Sequence, residues 1–207
     1  RDRNNVLADF LTTGVYDRNR PFFTTISPSM DILISSNLER MLYFLSDGDC
    51  ELVAGLMEQL AQTGRYEVPA ELLAKIQSVF GCGWASEDEV RAAIKSCWDA
   101  NDYVIDPHTA CGYHVFEKVA PAEGAKARVL LSTASPYKFA ADVLTAVAGK
   151  NAVAGLDAFA CSDELEARSG MPVPQQVKAL RSLPIRHTAH CEKGGMAQAV
   201  LDAFGGK

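Results

Sequence analysis

ARVLLSTASPYKFAADVLTAV, residues 127–147, decides how the rest of the chain is read. Arg128 to Leu131 is a short, mostly apolar run of the kind buried on both faces of a parallel sheet, and Ser135-Pro136 supplies an N-cap and a first-turn proline. The stretch therefore predicts a strand that empties into a helix. Ser132, Thr133 and Ala134 fall between the two, where a helix N-terminus and free backbone N–H groups seat polar ligands in an open α/β sheet. Capping alone accounts for Ser135. Local grammar leaves Ser132 and Thr133 open to either a structural or a ligand-binding role.

Working outward, Tyr103 to Ile105 predicts a second strand, which runs through Asp106-Pro107-His108-Thr109-Ala110 into another helix. Two strand-to-helix passages through polar turns, at 103–119 and 127–147, are the mark of parallel βα units. Asp106 and His108 flank the proline-fixed turn, so the carboxylate is placed to orient the imidazole and the imidazole to move a proton near neutral pH. An Asp N-cap followed by proline explains the same residues without any chemistry. A third polar stretch, SPSMDILISSNLER (27–40), reads as turn, strand at Met30–Ile34, and a helix opened by a Ser36/Glu39 capping box. Its hydroxyls, together with Ser29, Asn37 and Arg40, suit an anionic substrate.

The remaining elements are helical. Asn4 or Asn5 is expected to cap a first helix that Gly14 stops, and Glu51 to Gln62 carries one apolar face ended by Gly64. Pro69 opens ELLAKIQSVF, GCG at 81–83 reads as a turn, and Ser86 with Glu89 forms a capping box for the helix through Trp98. PVPQQVKAL and GGMAQAVLDAF predict two further helices, with IRHTAH as a short extended piece between them. The predicted organisation is an α/β domain at 1–46, a helical insertion or subdomain at 47–100, and the rest of the α/β domain at 101–207.

At 207 residues, 48% hydrophobic and 22% charged, the chain has ordinary globular composition and enough length for a sizeable core. A net charge of -6 argues against a nucleic-acid or anionic-membrane partner. No run reaches the roughly 18 apolar residues of a membrane span. Six cysteines without a C-x-x-C pair, in a chain of this size, point to a reducing, cytoplasmic setting. The chain opens on Arg1 and a polar turn, which leads to the expectation that it is part of a longer protein.

Other chemistries are weak on sequence grounds. His187, His190 and Cys191 lie close together but match no common zinc spacing, so no metal site is expected. Cys111, near His108 and His114, reads as a buried inert thiol rather than a nucleophile. No G-x-S-x-G elbow, phosphate-binding P-loop or G-x-G-x-x-G fingerprint occurs.

SPSMDI with SSNLER, then DPHTA, then LLSTASPYKF, in this order and spacing, resembles threonine synthase. The resemblance runs from NNVLADFLTTGVYD to PVPQQVKALRSLP and is to the longer form of the enzyme, which carries the helical insert. It implies the C-terminal part of a pyridoxal-phosphate enzyme of the tryptophan-synthase-like fold (type II). The fold implied is a partial parallel sheet of the large α/β domain with a helical insertion. The reaction implied converts O-phospho-L-homoserine and water to L-threonine and phosphate, the cofactor ring serving as electron sink. The hydroxyl at the position of Thr133 would bond the pyridine nitrogen, with Ser132 beside it. A hydroxyl there leaves that nitrogen largely unprotonated.

Asp106, His108, Ser29, Asn37 and Arg40 are candidates for the substrate wall. The Schiff-base lysine and the glycine-rich phosphate loop of the family lie in an N-terminal part not found in this sequence, so half a site, inactive by itself, is expected. Lys138 belongs to SPYKF and is not that lysine, and Ser135 stands where the family commonly has His. Another type II lyase, such as a serine or threonine dehydratase, and a non-catalytic folding or assembly unit are the competing readings. Neither oligomeric state nor regulation follows from the sequence.

Overall fold

Two tyrosines hold the first half of the molecule together. In the computed structural model, which describes residues 1–121 and 123–205, Tyr16 and Tyr66 stack with ring centroids 5.1 Å apart, and Phe10 meets both edge-on at 5.9 and 5.8 Å. They face each other because β1 (Val15–Asp17) pairs antiparallel with β2 (Arg65–Glu67), register Tyr16 to Tyr66. Directly opposed aromatic pairs are among the stronger cross-strand contacts. Around them α1 (Val6–Thr13), α2 (Leu38–Leu45), α3 (Cys50–Thr63) and α4 (Ala70–Val79) contribute Val6, Leu38, Leu42, Leu56, Leu72 and Ile76 to one core.

Local sequence explains the helix ends. Gly14 and Gly64 terminate α1 and α3 with φ of 79° and 76°, a left-handed conformation that glycine adopts without penalty. Asp49 caps α3 through Leu52 N, and Ser86 with Glu89 forms the expected capping box on α5 (Glu87–Asn101). Asn5 sits at the start of α1 but makes no side-chain cap. Asn4 instead bonds Phe23 O and Asp31, contacts that no local pattern encodes. The Ser36/Glu39 box is likewise absent: α2 starts after Asn37 without a side-chain cap, and Ser36 lies in an exposed turn.

The second layer is helical. α5 packs on α6 (Pro107–Lys118) and α7 (Ala140–Ala148), and α7 packs on α8 (Ala158–Ser169), with Ala140, Leu144 and Cys161 in a small core. Compactness divides the chain into one unit at 1–174 and a second at 175–207. The second consists of α9 (Gln175–Ala179), an irregular stretch and α10 (Met196–Gly205).

The architecture is α/β, mostly helical with a small sheet. Among the described residues that sheet is the antiparallel β1–β2 pair, and the strands expected at Met30–Ile34, Tyr103–Ile105 and Arg128–Leu131 carry no ladder. Pro28–Met30 is a short 3-10 turn, and Val129 and Leu131 are 78% and 76% exposed rather than buried. A strand is defined by hydrogen bonds to a neighbour, and 128–131 has none beside it among the described residues.

Candidate functional site

Asp106 is the anchor of the site. It is fully buried at the N-terminus of α6 and caps the helix, Oδ1 accepting His108 N at 2.9 Å and Thr109 N at 3.4 Å. The sequence forms this cap because Asp is a strong N-cap and Pro107 behind it is preset for the first turn. The same carboxylate reaches side chains as well: His108 Nδ1 lies 2.8 Å from Oδ1, and the Thr109 hydroxyl donates to Oδ2. Both oxygens of this buried carboxylate are therefore hydrogen-bonded, as burial of a charge requires.

From Asp106 the cluster extends in two directions. His108 Nε2 accepts the backbone N–H of Ser29 at 3.0 Å, fastening the turn Pro28–Met30 to α6. Thr109 Oγ1 lies 3.2 Å from Ser132 Oγ, fastening the end of the 128–133 segment to the same helix. The ring of Phe139 rests 4.8 Å from the imidazole. SPS, DPHTA and STASPYKF, far apart in sequence, thus converge on one helix N-terminus. Ser132 and Thr133 are exposed at that convergence, and Ser135 caps the 3-10 turn Pro136–Phe139 that leads into α7.

The loop carrying Ser29 rests on a network that the sequence did not reveal. Ser27 is buried and donates to Asp2 Oδ2 at 3.1 Å, while the Thr25 hydroxyl is 3.0 Å from Asp2 Oδ2 and 2.7 Å from Asp31 Oδ1. Asn4 Nδ2 also donates to Asp31 Oδ1, at 2.9 Å. Farther along, Tyr16 OH donates to Leu33 O at 2.8 Å and accepts Ser35 N–H at 2.9 Å. Asp2, Thr25 and Thr109 were not among the sequence candidates. The hydroxyl following His108 in DPHTA was the available signal for Thr109.

Not every candidate joins the cluster. Asn37 is exposed and accepts the Ser35 hydroxyl at 2.7 Å, and Arg40 lies on the exposed face of α2, lining a groove of about 350 Å³ with Tyr43, Phe44 and Val53. Cys111 is buried with Sγ 3.9 Å from Ser27 Oγ, and burial pushes its thiol up to about 11, opposite to what a nucleophile needs. Among the described residues no group of three or more His, Cys, Asp or Glu is arranged to hold a metal ion. No described helix is long and apolar enough to cross a membrane.

This helix-rich α/β architecture is shared with threonine synthases of known structure. Yeast threonine synthase superposes over 99% of this chain with a TM-score of 0.79 and 27% identity, the match spanning 40% of that protein. The pyridoxal-phosphate-bound threonine synthase of Brucella melitensis matches 79% of the chain and 34% of its own length, with a TM-score of 0.64 and 34% identity. The family described as threonine synthase, C-terminal, matches residues 109–193. The chain belongs to the threonine synthase family, to whose C-terminal region it corresponds. Human threonine synthase-like 1 is 38% identical over 148 residues, and yeast threonine synthase is 33% identical over 163. The chain spans 20% and 32% of the lengths of these two relatives.

Proposed function

We propose that the chain supplies the C-terminal wall of a cytoplasmic, type II pyridoxal-phosphate enzyme that converts O-phospho-L-homoserine and water to L-threonine and phosphate. The convergence of Ser29, His108, Thr109 and Ser132 on the α6 N-terminus carries this reading, because it gathers all three motif stretches beside Thr133. The residues present fit the cofactor. Ser132 is tied back to Thr109, while Thr133 is exposed with a hydroxyl that no described contact engages, so it is available to donate to a ring nitrogen. When bound, pyridoxal phosphate supplies the electron sink for carbanion chemistry.

This chain's own residues bind and orient. Thr133 Oγ1 would hold the cofactor by donating to its ring nitrogen, as a weak acid that would keep its own proton. Ser132 ties the segment carrying Thr133 to the α6 N-terminus through Thr109, and His108 ties the Ser29 turn to the same helix end. Asp106 is spent on capping and on holding His108 and Thr109, so its role is to set the wall rather than to touch substrate. Lys138, whose Nζ lies 6.0 Å from the centre of the Phe139 ring, is not assigned to the cofactor. The Schiff-base lysine and the phosphate cradle come, in this reading, from the N-terminal part of the enzyme, and the segment by itself is inactive. The helical block at 47–100 is a family insertion in this reading.

The test is phosphate release from O-phospho-L-homoserine by the enzyme bearing this segment, comparing Thr133→Val with Thr133→Ser. Serine retains turnover and valine loses ten- to hundredfold, about 1.4 to 2.7 kcal/mol. Equal turnover in the two would overturn the assignment. A non-catalytic role is the second reading, motivated by the higher identity to threonine synthase-like 1 than to the yeast enzyme. No phosphate release at any substrate concentration, with the cofactor bound, would favour it.

A further inference from the structure

The His108 imidazole has both nitrogens committed. Nδ1 lies 2.8 Å from Asp106 Oδ1, and Nε2 is 3.0 Å from the Ser29 backbone nitrogen, 79 residues away in sequence. A backbone amide only donates, so Nε2 must present its lone pair and carry no proton. The single proton of the neutral ring is then on Nδ1, pointed at the carboxylate. The side chain is 10% exposed, and its ring is covered by Phe139 at 4.8 Å. Of the groups touching it, Asp106 is the titratable one; the Ser29 turn offers an amide and Phe139 a ring.

We propose that His108 is a positioning residue, locked as the neutral Nδ1–H tautomer, whose task is to hold the Ser27–Met30 turn against the N-terminus of α6. This replaces the proton-carrying role that the sequence suggested for the imidazole. A proton on Nε2 would set two donors, N–H against N–H, and release Ser29, so the ring holds the turn only while that nitrogen is bare. The tautomer follows from the geometry and needs no cofactor, and its bearing on turnover rests on the synthase reading.

Long-range proton–nitrogen correlation on the protein labelled with 15N-histidine reads the tautomer directly. The expected result at neutral pH is a protonated Nδ1 and an imine-type Nε2; an Nε2–H tautomer or an imidazolium would overturn the proposal. Two variants separate the two bonds. His108→Gln places a carboxamide oxygen near the Nε2 position, and His108→Asn places a carboxamide nitrogen near Nδ1. Ser29 amide exchange is expected to stay within about twofold of wild type in His108→Gln and to rise roughly five- to tenfold in His108→Asn, the loss of one ordinary hydrogen bond. Equal exchange in the two folded variants would overturn the proposal, and the wild-type tautomer decides should either fail to fold. Neither measurement involves pyridoxal phosphate, so failure here is distinct from failure at Thr133.

Discussion

The hydroxyls of Thr109 and Ser132 lie 3.2 Å apart, joining the first turn of α6 to the end of the 128–133 segment. Thr109 also donates to Asp106 Oδ2, a fully buried oxygen. Thr109→Val keeps the shape and removes both links, leaving a buried carboxylate oxygen without its donor. The expected loss is about 1–3 kcal/mol in urea-induced unfolding, with Thr109→Ser near wild type. A Thr109→Val protein as stable as the parent would contradict the role given to this hydroxyl.

Thr133 should behave in the opposite way. It is exposed and has no described partner, so Thr133→Val is expected to change unfolding free energy by no more than about 0.5 kcal/mol. A loss of turnover in that variant is then attributable to the site and not to unfolding.

Tyr16 links core and loop. Its ring stacks on Tyr66 while its hydroxyl bonds Leu33 O and Ser35 N. Tyr16→Phe preserves the ring and strips two backbone groups of their partner, for an expected cost of about 1–2 kcal/mol. Hydrogen exchange should quicken at Ser35 and be unchanged at Tyr66.

Acid should loosen the α5 capping box through Glu89. Its carboxylate accepts from Ser86 N and the Ser86 hydroxyl at 2.8 and 2.9 Å and from Lys118 at 3.2 Å, and these contacts pull its pKa down to about 2. A depressed carboxylate stabilises the fold fully above its ordinary value near 4.5 and loses that contribution as pH falls toward 2. The side chain is 41% exposed, so screening keeps the effect modest. The gap in thermal midpoint between wild type and Glu89→Gln should therefore close between about pH 5 and pH 2. A gap that stays constant over this range would rule the capping box and its Lys118 contact out as its source.

Gly64 is expected to resist substitution. Its φ is 76° and an added Cβ would come 2.3 Å from Asn19 Oδ1. Gly64→Ala should cost about 1–2 kcal/mol for the left-handed backbone. Adding Asn19→Ala should recover only the steric part.

The sequence by itself determined most of the helices, α8 excepted, several of their ends and the family. Ser86, Asp106, Ser135, Gly14 and Gly64 were legible because a cap or a left-handed stop acts between residues two to four apart, within reach of local pattern. It also singled out Ser29, His108 and Ser132, through hydroxyl density and the polar turns at the ends of expected strands. Tertiary structure decided what these residues touch. Ser29 to His108, Thr109 to Ser132 and Asn4 to Asp31 are bonds across the fold, set by how helices pack. It also decided against the Asn4/Asn5 and Ser36 caps and left Arg128–Leu131 without a ladder, because a side chain takes the best partner that packing brings and a strand exists only beside another.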